Sequence, residues 1–436
     1  MRLEDITQFC YFLVGRDGER EVFSGPVIRG KYGEAMENPS ALAEIGEKLF
    51  EPLHRDRTLG FVNHLDILSA THLLLTTGGT NILKHTGPCG GAYGFGPGKE
   101  DEEYAAASSV NEVARFGGII GVPRVTLASA TEMVGKTGKR LQDAVVALEF
   151  EEGAVGKLLS ANRPPLVYRL TNPNFDIYPI DIQPGINGWV LQERIPPPIR
   201  EELLLPKEVD PRLAGKAHIE ITDKMRDDLV YGFKMVGARH SNAICFVEPR
   251  ESGAVAVGLS GGASDRITAA YQAMENAVAY YLIKYLSVPK RKIPDKIPVT
   301  LYMVSDGFFP DAAALRVATD KHEILKVKQR TACMPYQTQG LELLDKTGSI
   351  ATLLEQEYWS KRVPQRLIRK LKYIAKRLDI QVPVVLNPGK PKVDDDLKVY
   401  EFADEAKVTM LTPMRNGQHM RNFKHGSLPA YLVRVA

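Results

Sequence analysis

The chain has 436 residues, 44% hydrophobic and 25% charged, with a formal net charge of +3. That length exceeds what one hydrophobic core organises, so two or more domains are expected, while the near-neutral charge gives no argument for a nucleic-acid partner and leaves anionic small molecules open. The four cysteines form no C-x-x-C pair, no apolar run reaches the roughly 20 residues of a membrane helix, and "MRLEDITQFCYFLVG" is not a signal peptide, so a cytoplasmic protein without zinc ribbon, disulfide framework or membrane partner is expected.

Residues 1–60 have little periodicity and read as a lead-in. From about 61 to 165, apolar segments alternate with helical patterns, which argues for a first α/β domain over 1–165. Within it, "THLLLTTGGTNILK" reads as two apolar segments split by a glycine pair, and ends on Lys84 followed by His85. "GPCGGAYGFGPG" then reads as loop chemistry. The Pro-rich residues 166–215 read as an extended linker.

A second α/β pattern fills 216–436. "DDLVYGFKMVGARH" has helical spacing, "NAICFVE" and "AVAVGLS" read as strands paired through "PRESG", "RITAAYQAMENAVAYYLIKYL" is an amphipathic helix, and "IPVTLYMVSDGFF" is a buried strand ending in polar residues. Residues 311–382 read as an insertion. Its segment 358–378 holds eight Lys/Arg and no acid. It is either a basic helix for RNA or an acidic membrane, or the solvated face of a packed helix. No fixed-period repeat is visible.

Polar residues stand at the end of an apolar strand, or at a turn into a helix, at "LKHTGPCG", "ARHSNAICF", "GLSGGASDR" and "VSDGFFP", and open α/β sheets bind ligands at strand ends. "SGGASDR" opens a helix. It could cradle a phosphate on free N–H groups, or be a turn with Ser264 as N-cap. Asp306 reads as catalytic or as a turn cap. There is no G-x-S-x-G, P-loop or H-E-x-x-H, and no zinc-deaminase pairing of H-x-E with P-C-x-x-C. The residues alone describe an α/β enzyme with a Lys–His pair and an anion site.

Taken in order, these pieces resemble AICAR transformylase, the formyltransferase half of a bifunctional purine-biosynthesis enzyme. "ILKHTGPCG" is similar to K-H-x-N-P-C-G, "GFVNHLDIL" to N-I-L-D, "ARFGGIIGV" to F-G-G-I-I-A and "INGWVLQERI" to G-G-L-L-V-Q-x-x-D. "GARHSNAICF" is similar to K-S-N-A-I, "GLSGGASDRI" to G-x-G-x-Q-x-S-R and "VSDGFFP" to S-D-A-F-F-P. The closing segments about "FADEAKV" and "MRNFKHG" follow suit.

The resemblance implies an α/β fold of two cytidine-deaminase-like α/β/α domains without zinc, the second carrying the insertion. It implies a homodimer with shared active sites, and a chain without the cyclohydrolase domain. The activity implied is transfer of a formyl group from 10-formyltetrahydrofolate, the co-substrate, to the amine of AICAR. Lys84, His85 and Asn242 would be catalytic. Asn63, Gly188, Arg266, Arg421, Phe423 and His425 would bind the nucleotide, and Asp306, Phe308 and Pro310 the folate. No metal is implied.

Departures gather at the substrate positions. The family's R-Y-G-x-N-P-H-Q segment is not intact: "KYGEAMENPS" offers Lys31 in order, and "RTACMPYQ" offers Arg330 out of order. The glutamine of the Gly-rich loop is lost. The acceptor therefore stays open between AICAR and a related amino-azole nucleotide, with a non-catalytic nucleotide-binding relative as the alternative of another class.

Overall fold

Val-, Ile- and Ala-rich runs bounded by Gly and polar residues extend as strands buried on both faces, and the amphipathic runs between them cover those faces as helices. The computed structural model describes residues 8–14, 20–30, 40–43, 50–54, 61–111, 117–135, 142–171, 176–177, 180–185, 188–193, 196–213, 216–333, 365–390, 397–420 and 433–434. Lys31, Arg421, Phe423 and His425 lie outside these residues.

The lead-in is not structureless. β1 (Gln8–Val14), β2 (Arg20–Gly30) and β3 (Ser40–Ala43) pair antiparallel as a small sheet, because a ladder of backbone hydrogen bonds needs no side-chain period. After β4 (Phe50–His54) come α1 (Phe61–Thr77), β5 (Thr80–Lys84), β6 (Gly87–Tyr93), α2 (Glu100–Ser109), β7 (Gly118–Val125), α3 (Leu127–Val134), β8 (Gln142–Phe150), α4 (Ala154–Leu159) and β9 (Leu166–Leu170). Gly78, at φ +69°, ends α1 and donates its N–H to Leu74 O at 2.8 Å, the left-handed stop that glycine allows.

Next come β10 (Asp176–Ile177), the hairpin β11 (Ile180–Gly185) and β12 (Gly188–Glu193), and β13 (Leu203–Leu204). The remainder is α5 (Asp223–Gly237), β14 (Ile244–Pro249), β15 (Ala254–Leu259), α6 (Arg266–Lys284), β16 (Ile297–Ser305), α7 (Ala313–Thr319), α8 (Lys321–Thr331), α9 (Gln365–Arg377), β17 (Leu378–Leu386), α10 (Leu397–Glu405), β18 (Thr409–Arg415), β19 (Gln418–His419) and β20 (Val433–Arg434).

A 13-stranded sheet runs β13-β18-β17-β16-β14-β15-β6-β5-β7-β8-β9-β4, with β19 on β18. The fold is mixed α/β around this sheet. Its two halves repeat one plan: a helix, an antiparallel hairpin, then three parallel strands beside the hairpin's first strand. In the first half these are α1, β5–β6 and β7–β8–β9; in the second, α5, β14–β15 and β16–β17–β18. The halves join where β15 pairs antiparallel with β6, Ala254 opposite Tyr93 and Ala256 opposite Gly91. The sequence has no period that announces this repeat, because the plan is carried by pairing and not by residue identity.

Several expected boundaries shift. Gly87–Tyr93, read as loop, is a central strand. A Cβ on Gly90 would lie 2.8 Å from Ala107 O, and one on Gly91 2.7 Å from the Tyr231 hydroxyl. Helices press on this strand from both faces, so its glycines mark close approach and not a turn. β9 and β13 fall inside the segment read as linker, yet both pair into the large sheet. β17 begins inside the segment read as insertion and lies parallel to β16. Helix α9 buries Leu371 and Ile374 completely, so the basic stretch has a packed apolar side; its first residues and 358–364 lie outside those described in side-chain detail.

Candidate functional site

One edge of the sheet gathers the strand-end residues. β5 ends there at Lys84 and β6 begins there at Gly87. The registers Cys245–Leu259, Ile244–Ser305 and Val304–Leu386 bring the end of β15, the start of β14 and the ends of β16 and β17 to the same edge.

Lys84 is half-buried and His85 is exposed at the tip. His85 and Thr86 hold φ of +54° and +61°, a left-handed conformation that L-residues seldom adopt and that needs outside support. Asp66, on the second turn of α1, supplies it. The His85 N–H donates to Asp66 Oδ2 at 3.1 Å and the Thr86 N–H to Asp66 Oδ1. Asp66 is buried, and desolvation raises its pKa against the pull of those two N–H groups and of the nearby His85 and Lys84 charges. Sequence reasoning missed Asp66. It stands in "NHLDIL", three residues after Asn63, so both face the same side of α1; the carboxylate of that segment was the available signal.

Across the joint, Asn242 donates its side-chain amide to Ala263 O at 3.0 Å, and Ala263 returns its N–H to Asn242 O at 3.4 Å. The loop "RHSN" is thereby sewn to the loop "GGAS". Asp265, not Ser264, caps α6, accepting the Thr268 N–H at 2.7 Å. The first residue of α6, Arg266, forms a buried ion pair with Asp306 through Oδ1, which also accepts the Ala243 N–H at 3.1 Å. Burial lowers the Arg266 pKa to about 10. Asp306 Oδ2 and Arg266 Nε stay buried without a hydrogen-bond partner. So Asp306 both ties a turn and faces a cation; the two sequence readings of it coincide. Phe308 is half-buried, Pro310 is exposed, and Pro310 O accepts from Lys390 Nζ at 3.0 Å.

Arg239 connects the two groups. A Cβ on Gly87 would lie 3.0 Å from its Nη1, and one on Gly261 2.9 Å from its Cβ. Its guanidinium stem therefore runs between the Lys84–Gly87 turn and the Gly-rich loop. An arginine two residues past a helix end reads as a solvated terminal charge, so nothing in the sequence singled it out.

Two expected residues are not drawn in. Arg330, on α8, pairs with Glu275 at 3.0 Å, and Glu275 lies nine residues, roughly 14 Å of helix, beyond Arg266. Gly188 opens β12 in a two-stranded ladder separate from the large sheet. A cavity of about 520 Å³ between α1, α5 and residues 197–201 includes Thr76 and Lys234. It opens near the far end of α1 from Asp66 and contains none of the strand-end residues. No cluster able to hold a metal occurs among the described residues, and no helix among them is long and apolar enough to cross a membrane.

The edge thus offers a cation and an imidazole on a braced turn, an amide across from them, and buried guanidiniums. This is a set suited to moving a proton beside a developing oxyanion. The sequence model of the AICARFT/IMPCHase bienzyme family matches residues 29–276. The bifunctional purine biosynthesis protein PurH of Thermotoga maritima is 29% identical over 260 residues, covering 58% of this chain and 50% of that protein. PurH of Chlorobium chlorochromatii is 25% identical over 285 residues, covering 63% and 46%. The chain spans about half the length of the curated relatives it matches.

Proposed function

The chain belongs to the AICARFT/IMPCHase bienzyme family, and on that premise we propose that it transfers the formyl group of 10-formyltetrahydrofolate to the 5-amino group of AICAR. The observation that carries the reading is the Lys84–His85 turn, braced by Asp66, on the same sheet edge as Asn242 and the Arg266–Asp306 pair. The two copies of the strand plan are read as metal-free units of the cytidine-deaminase type, and the working form as a homodimer whose sites draw on both subunits.

An aromatic amine whose lone pair is delocalised toward a carboxamide is a weak nucleophile. It needs a base as it attacks the formyl carbon, and imidazole exchanges protons near neutral pH. His85 takes the amine proton as the new N–C bond forms. Lys84 steadies the resulting oxyanion and returns a proton to the folate nitrogen as its C–N bond breaks, while Asn242 orients the formyl oxygen. Asp306, Phe308 and Pro310 take the folate ring, and Asn63 and Arg266 the nucleotide.

Ultraviolet absorbance of AICAR with 10-formyltetrahydrofolate should report product formation, from a species that sediments as a dimer. His85→Ala should lower turnover about 100-fold or more with nucleotide binding largely kept. Turnover within about threefold of wild type would remove His85 from the mechanism. Formylation of another amino-azole nucleotide but not AICAR would change the acceptor and leave the chemistry standing.

A further inference from the structure

Arg239 is a cation held in place with no neutralising partner among the described residues. Its Nε is fully buried without a hydrogen-bond partner, and among the described residues no carboxylate pairs with it. The titratable groups near enough to influence its charge are the thiols of Cys89 and Cys245, and burial pushes both thiols up, so neither supplies a negative charge near pH 7. Desolvation correspondingly lowers the guanidinium's own pKa. Compare Arg250, Arg266, Arg377 and Arg415, each two-thirds or more buried: they pair with Glu248, Asp306, Asp295 and Glu202. A buried charge is tolerated when it is paired. Arg239 instead lies between two glycines, Gly87 and Gly261, at either of which a Cβ would crowd it. It lies directly against the Lys84–Gly87 turn, and the residue itself keeps part of its surface exposed.

We propose that Arg239 is the specificity-determining anion reader of this site: its guanidinium receives an oxyanion group of a bound substrate. The proposal rests on the formyl-transfer reading for the identity of that substrate but not for the anion itself. Two groups on the proposed substrates share the chemistry, the phosphate of the nucleotide and the carboxylates of the folate tail. Either fits a planar fork of N–H donors better than a single ammonium would.

Calorimetric titration of wild type, Arg239→Met and Arg239→Lys should separate them. One arm compares AICAR with its dephosphorylated nucleoside. The other compares 10-formyltetrahydrofolate with its analogue lacking the glutamate. In one arm, wild type should prefer the oxyanion-bearing ligand about 100-fold, with the preference falling to about tenfold or less in Arg239→Met and lying between in Arg239→Lys. Inorganic phosphate should raise the melting temperature of wild type and leave that of Arg239→Met unmoved. Unliganded Arg239→Met should melt a few degrees, about 2–4 °C, above wild type, since an unpaired charge is removed. An unchanged preference in both arms together with a retained phosphate shift overturns the proposal, and so does a methionine variant less stable than wild type. Should wild type bind neither substrate, the formyl-transfer reading falls while the phosphate comparison still decides the role of Arg239.

Discussion

Asp66 and Asp228 are both buried carboxylates on helices that pack against the sheet, and burial raises the pKa of both. Their uses differ. Asp66 spends its acceptor oxygens on two backbone N–H groups of the candidate catalytic turn. Asp228 accepts from Lys224 Nζ at 2.8 Å and from the Tyr93 hydroxyl at 3.1 Å, linking α5 to β6 across the joint. Desolvation outweighs those partners and pushes Asp228 up to about 6 from 3.8. Between those values the folded chain holds a proton that the unfolded chain releases. The Asp228 contribution is therefore complete below about pH 4 and is lost as pH rises through about 6, a change of about 3 kcal/mol. Urea unfolding of wild type and Asp228→Asn across this range should show wild type losing that much relative to the variant. Parallel stability profiles would mean that Lys224 compensates the burial fully.

Helix-to-sheet distance is set by glycine at this scale of the molecule. A Cβ on Gly258 of β15 would sit 2.3 Å from Ala273 O and 2.9 Å from Ala277 Cβ on α6. Gly258→Ala must push α6, and with it Arg266, away from the sheet, at a cost of about 3 kcal/mol. Gly156 is the control: it is exposed on α4 with nothing within 4 Å of its Cβ position, so Gly156→Ala should gain about 0.5–1 kcal/mol in propensity. Chemical denaturation of both variants checks the contrast, and similar effects of the two would refute the close-approach account. The amphipathic helices were legible because a 3.6-residue stripe is local: α6 and α5 stand where the pattern put them. The strand β6 was not, because Gly-Pro-Cys-Gly-Gly reads locally as a turn, and only two helices bearing down on it explain why it carries so few side chains.

At the scale of the whole molecule, one sheet holds both halves. Ala254, Val255 and Ala256 of β15 and Ala92 of β6 are fully buried at the joint, and Tyr93 stacks on Tyr231 across it at 4.3 Å between ring centres. Either half alone would expose a flat apolar strand edge, which invites aggregation. Residues 1–215 and 216–436 produced separately should be insoluble or aggregated, and should co-purify as one assembly when produced together. Two soluble halves, each with its own cooperative unfolding transition, would show that the joint is dispensable.

Local matters could be read directly along the chain: the α/β character, the helices with clear stripes, the β14–β15 hairpin with its turn, the Lys84–His85 pair at a strand end, and the family resemblance carried by ordered motifs. Each of these depends on residues near one another in the chain. Which strand ends share an edge came from folding alone. Folding also placed Asp66 beneath His85, closed Arg266 onto Asp306, left Arg330 on the flank of α6 and set Arg239 between two glycines. Those outcomes depend on pairing registers between strands many residues apart, and on burial, which no short stretch of sequence specifies.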